Sequence, residues 1–272
     1  MDPEVELFGR QAFKACELTH DYIRILFDRI GTATSFDETV PESDKIRLSS
    51  LRGYYARTAA WLGSVTKLND PGDVQAISVA ARSLFESAVD LVLVHHGRES
   101  FDKMYAWERS AQLDYLENVM QFFGGAPTGA YVDTRAKLST GQPAEIDAER
   151  RRFYGKPTHP ARWTGQHIEK DVVEADKLLA DAGRRPASFS FREFYELEYA
   201  MLCWATHGST LLGLRATSTD FVPAQSAMRM NRIHDFALCI TQVVLEELKL
   251  FDQKDFDQFL ARAQQEVAAI KL

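Results

Sequence analysis

The chain has 272 residues, with 32 Lys and Arg against 39 Asp and Glu, and a formal net charge of −7. That acidic balance argues against nucleic acid being drawn to the surface as a whole, so only a local basic patch would serve that purpose. With 45% hydrophobic and 26% charged residues the composition is that of a globular protein able to bury a sizeable core, and no apolar run approaches the roughly 18 residues of a membrane span.

Residues 3–30 read as one long helix, opened by Pro3 and stopped at Gly31, with Phe8, Ala12, Ala15, Leu18, Tyr22, Ile25 and Phe27 at helical spacing. After a polar loop, Pro41 opens a second helix ending near Asn69-Asp70-Pro71-Gly72. The third stretch, DVQAISVAARSLFESAVDLVLVHH from Asp73 to His96, organises the chain. Ile77, Ala81, Leu84, Phe85, Ala88, Leu91 and Val92 make an apolar face wider than a surface helix needs, so this helix is expected to be buried nearly all round. Asp73 is its expected N-cap and Gly97 its stop. Ser100 caps a fourth helix that halts at Gly124-Gly125.

Residues 126–165 change character, with Pro127, Pro143, Pro157 and Pro160 and several glycines. Short helices near 130–138 and 144–153 lead into the loop GKPTHPARWTG; loops of this length in compact domains are often functional. A helix over 166–182 closes at Gly183, and Ser190 with Glu193 forms a capping box before FREFYELEYAMLCWATHGSTLLGLR. That helix shows two apolar faces, one through Phe191, Tyr195 and Leu202, the other through Leu197, Met201 and Leu211, so both should be covered. Helices near 226–250 and 255–271 complete the chain. The expected fold is all-α, a single-domain bundle of about eight to nine helices over 1–272 with a Pro/Gly-rich irregular segment in its middle. Cys16, Cys203 and Cys239 are odd in number, lack a CxxC and sit in apolar helical contexts, and the acidic start MDPEVELFGR has no signal-peptide regions. The expected compartment is the cytoplasm.

No H-E-x-x-H, G-x-S-x-G, P-loop or dinucleotide fingerprint is present, and no metal or cofactor is expected. The adjacent His95 and His96 diverge by about 100° on a helix and make a poor metal pair. The polar wedge of the third helix holds Arg82, Ser83, Glu86 and Asp90, with Arg82 and Glu86 one turn apart. Either this is a solvated or bracing ion pair, or it lines a polar pocket inside the bundle, where burial would force the two charges together. His207 follows Tyr199 and Cys203 at i+8 and i+4, with Gly208 leaving room beside it. The segment ERRRFYGKPTHPARWTGQH interleaves Arg150, Arg151, Arg152, Lys156 and Arg162 with Phe153, Tyr154 and Trp163, a combination that matches phosphate contact with base stacking, or else a solvated helix end.

Three motifs then align: R-S-L-F-E at Arg82–Glu86, W-T-G at Trp163–Gly165, and the Tyr199…His207-Gly208-Ser209 pattern. Over about residues 75–215 they resemble a group of bacterial helical proteins of unestablished function with the pattern R-x-L-x-E, W-x-G, then Tyr and H-x-S. The N-terminal helices (3–69) and the C-terminal helices (226–271) would pack on that core. Such domains look distantly like the HEPN-type helical modules of defence and toxin systems, a likeness of fold alone. The Arg-to-His spacing of HEPN ribonucleases recurs here at Arg162–His167, Arg152–His159 and Arg229–His234, but an Arg-rich chain produces such pairs by chance. Arg162 also stands where the family tryptophan is often preceded by histidine.

The resemblance implies a site at Arg82, Glu86 and His207 as catalytic candidates, with Arg152, Arg162, Trp163, Tyr199 and Ser209 as binding residues. Whether the protein is an enzyme stays open. If it is, metal-independent RNA cleavage is the first class to test, with Arg82 stabilising phosphorane charge and His207 as acid or base oriented by Glu86. RNA or a phosphate-containing ligand is the expected partner, no membrane is expected, and homo-oligomers are left open. The alternative is a non-catalytic binding or scaffolding module in which these residues form a structural network.

Overall fold

The computed structural model describes residues 2–68, 73–122, 142–156, 158, 160–183, 190–206 and 221–271. Among them the architecture is all-α, with nine helices and no strand. These are α1 (Pro3–Ala33), α2 (Glu42–Val65), α3 (Val74–His95), α4 (Phe101–Phe122), α5 (Gln142–Tyr154), α6 (Ile168–Asp181), α7 (191–206), α8 (Phe221–Glu247) and α9 (Gln253–Ala268). None of them is long and apolar enough to cross a membrane.

Local signals act at most ends. Asp2 caps α1 by accepting from Glu4 N at 2.8 Å, and Ser190 accepts from Glu193 N at 2.9 Å at the start of α7. Ser100 Oγ accepts from Lys103 N at 3.2 Å at the start of α4. At the end of α3, Gly97 takes φ +69°, which lets Arg98 N reach back to Leu93 O at 3.0 Å. Two expected signals are not used. The first helix runs through Gly31 to Ala33 and is closed by Thr34, whose hydroxyl donates to Ile30 O at 2.7 Å. Asp73 occupies the N-cap position of α3 but makes no capping hydrogen bond with its side chain.

The core is built around α3 and α8, with α8 packed most extensively against α1 and α3. At their junction Phe85, fully buried, has its ring centroid 4.8 Å from Phe194, 5.5 Å from Phe236 and 6.0 Å from Phe191. Offset and edge-on contacts of this kind add to the apolar area that the rings remove from water. α6 and α7 cover α3 from one side, while α2 bridges to α4, which carries α5.

α7 departs from its sequence pattern. It is α-helical over Phe191–Phe194, π-helical over Tyr195–Tyr199 and α-helical again over Ala200–Thr206. The wider turn rotates the following positions. Leu197, assigned to a second apolar face at regular helical spacing, is 67% exposed, whereas Glu198 is buried. Arg232 Nε, at 3.4 Å, supplies the cation that Glu198 faces.

Candidate functional site

Arg82, Glu86 and Asp90 stand at i, i+4 and i+8 on α3, so helical geometry aligns them in one stripe along the otherwise apolar helix. At the first end, Arg82 Nε donates to Glu86 Oε1 at 2.9 Å, and the Tyr199 hydroxyl from α7 donates to the same oxygen at 2.7 Å. The guanidinium carbon lies 5.5 Å from the Tyr199 ring centroid, and that ring is flanked by Phe85 at 5.5 Å and Tyr195 at 5.2 Å. The pair is not sealed inside the bundle, as the sequence led one to expect. The Arg82 and Glu86 side chains keep 27% and 31% exposure. Partial burial pulls the Arg82 guanidinium down, but the hydrogen bond and charge of Glu86 outweigh it, so Arg82 sits above its ordinary value. Burial, then the hydrogen bond and charge of Glu86, push the Tyr199 phenol up. Among the described residues Glu86 is the one acceptor for Arg82, through Nε, and the two terminal nitrogens have none.

The other end of the stripe is closed. Asp90, 8% exposed, receives Arg162 Nη2 on Oδ1. Arg162 Nε donates to Asp171 Oδ2 at 2.5 Å, and Thr164 Oγ1 donates to that oxygen at 2.8 Å. The Tyr54 hydroxyl lies 3.5 Å from Asp90 Oδ2 and 3.2 Å from Met104 Sδ. Burial drives the Asp90 carboxyl up, opposed chiefly by the Arg162 charge, and it settles at about 6. The same burial pulls Arg162 down, but Asp90 and Asp171 together hold it above its ordinary value. The Trp163 indole N–H helps hold the Asp90 carboxyl down, yet closes no hydrogen bond of normal geometry.

The loop carrying Arg162 is pinned by main-chain contacts. Trp107 Nε1 donates to Pro160 O at 2.8 Å, the Tyr154 hydroxyl to Trp163 O at 2.8 Å, and Lys103 Nζ to Thr164 O at 2.9 Å. Trp163 is 4% exposed. Arg162 and Trp163 therefore face inward, and neither is presented for base stacking or phosphate contact. Arg150 is also turned in, with Nε on Ser110 Oγ at 2.6 Å and Nη2 on Asp114 Oδ1 at 2.5 Å. Arg152 is exposed on α5, its guanidinium carbon 4.9 Å from the Phe153 centroid. It lines a cleft of about 520 Å³ with Arg109, Glu145 and Glu149, separate from the α3 stripe.

Of the sequence candidates, then, the structure brings together Arg82, Glu86 and Tyr199, and seats Arg162 and Trp163 at the far end of the same stripe. His207 and Ser209 lie outside the described residues. Sequence reading left out Asp90, Asp171, Thr164 and Tyr54. Asp90 carried a usable signal, its i+8 spacing from Arg82, while the others are joined to it only by the fold. Among the described residues no three His, Cys, Asp or Glu side chains group as metal ligands. Compared with protein families, curated proteins and solved structures, the chain matches none.

Proposed function

We propose that the open end of the α3 stripe is a receptor for a phosphate-containing ligand, with RNA the first class to test. The observation that carries this reading is the state of Arg82. Its guanidinium is oriented by Glu86, stacked on Tyr199 and held as a cation, while its two terminal nitrogens face no acceptor among the described residues. A planar fork held in place at partial exposure matches two oxygens of a phosphate and loses little conformational freedom on binding. Binding rather than chemistry is the reading this geometry favours. Of the described residues at this end, Tyr199 is pushed away from neutral titration, and Glu86 spends one oxygen on two donors. RNA cleavage would draw its proton shuttle from His207.

A scaffolding role without a ligand is the second reading, favoured by the closed Asp90–Arg162–Asp171 end, where each charge meets a partner within the chain. Fluorescence anisotropy with a labelled single-stranded RNA of mixed sequence, in EDTA, separates the readings. Receptor function requires binding that weakens with salt and falls at least about tenfold in Arg82→Ala. Shortened product in the same tubes would add cleavage, and no binding by the folded wild type would leave the scaffold.

A further inference from the structure

A second cavity lies far along the chain from this stripe, on the opposite flank of α8. It is a cleft of about 390 Å³ between α8, α9 and the C-terminal ends of α3 and α6, a size that holds a small organic molecule. Its polar groups are acceptors rather than donors. Asp235 is 14% exposed at its side chain, and its nearest cation, Arg232 Nη1, stands 3.6 Å away. One of its carboxylate oxygens is buried with no hydrogen bond at all. An ion this far from water with so few donors is under-satisfied, and burial pushes its carboxyl up to about 6.

The neighbouring histidine adds a second acceptor. Thr19 Oγ1 donates its proton to Ala15 O at 2.8 Å, so at 2.6 Å from His234 Nδ1 it accepts. The proton therefore sits on Nδ1, and Nε2 keeps its lone pair. Burial pulls His234 down to about 4, so the ring is neutral. Glu246 also lines the cleft, 3.0 Å from His95 Nε2, while Glu247 holds His95 Nδ1 at 2.8 Å. No Lys or Arg is among the residues lining the cleft, whose remaining wall includes Leu238 and Leu260. The unmet requirement is thus for N–H donors and positive charge, carried on an apolar frame.

We propose that this cleft binds a small amphiphilic amine, its ammonium on Asp235 and its hydrocarbon body against Leu238 and Leu260. An anionic or purely apolar ligand would leave the two carboxylates uncompensated, which is the costlier arrangement in a partly dehydrated site. The inference is independent of the Arg82 reading, because no residue is shared between the two sites.

The test is calorimetric titration of the full chain with phenethylamine, 2-phenylethanol and 3-phenylpropanoate, which share a frame and differ in charge. Phenethylamine should bind one per chain, at least about tenfold more tightly than the alcohol, and the carboxylate should not bind. Asp235→Asn should weaken the amine at least about tenfold. Gln242→Lys should do the same by placing a competing ammonium beside Glu246, whose Oε1 the glutamine now contacts at 3.1 Å. If Asp235→Asn fails to fold, the lysine variant decides. Absence of saturable amine binding at millimolar concentration overturns the proposal, as does equal affinity for the alcohol or unchanged affinity in the folded variants.

Discussion

The two ends of the α3 stripe have the same chemistry and opposite fates. At one end Arg82 and Glu86 pair within a single turn and remain about 30% exposed, with part of the guanidinium free of protein acceptors. At the other, Asp90 is buried and must find its cation 72 residues away, in Arg162, which a second carboxylate, Asp171, also claims. Both contain Arg–carboxylate contacts, yet only the first leaves anything for a ligand. Water decides the difference. Where it reaches the pair, the charges need little from the protein, and where it is excluded, every donor and acceptor is spent internally.

The sharpest way to break this contrast is Arg162→Ala. It leaves Asp90 and Asp171 facing one another without their shared cation, and the fold should lose about 3–5 kcal/mol, read by urea denaturation. A loss below about 1 kcal/mol would put this end in the same class as a surface pair.

Asp90 sharpens the contrast through pH. Its carboxyl is raised to about 6 in the fold from an ordinary 3.8. Between those values the folded chain holds a proton that the unfolded chain has released, so Asp90 contributes stability at acid pH that is lost as pH rises through about 6. Asp90→Asn removes that titration while leaving Arg162 paired with Asp171. The stability of wild type relative to this variant should fall with rising pH by up to about 1.4 kcal/mol per unit across the window. A difference that stays flat from pH 4 to 7 would show that the Asp90 carboxyl is not shifted.

Smaller effects are expected at the open end. Arg82→Ala should cost about 1 kcal/mol or less in stability, since the pair is part-exposed, while abolishing the RNA binding described above. A cost near that of Arg162→Ala would mean the pair is structurally closed after all. Smallest of all, Tyr199→Phe removes one hydroxyl donor from Glu86 but keeps the ring under Arg82, and should cost about 0.5–1.5 kcal/mol with ligand affinity within a few-fold of wild type. A loss of affinity as large as that of Arg82→Ala would make the hydroxyl part of the receptor.

Much of the helical plan was legible in the residues. The apolar spacing of α3, the Ser190–Glu193 cap and the Gly97 stop all act locally, over one or two turns, and such interactions can be read from neighbours in the chain. The placement of Arg82 beside Glu86 was legible for the same reason. Exposure was not. The breadth of the α3 apolar face implied that the pair would be buried, but α7 arrives with a π-helical turn that puts the Tyr199 hydroxyl on Glu86 and leaves the guanidinium half open. The basic run 150–167 looked like one patch, because adjacency in sequence says nothing about direction. Arg150 and Arg162 turn inward to Asp114, Asp90 and Asp171, while Arg152 stays outside.

The sequence by itself therefore determined that this is an all-helical chain, where most helices begin and end, and that α3 carries a charged stripe through apolar surroundings. Only the tertiary structure decided which of those charges meet water and which meet one another. Local propensity acts through neighbours a few residues apart. The partner of a buried charge is whichever group the packing of distant helices brings within hydrogen-bond reach, and for Asp90 that group lay 72 positions down the chain.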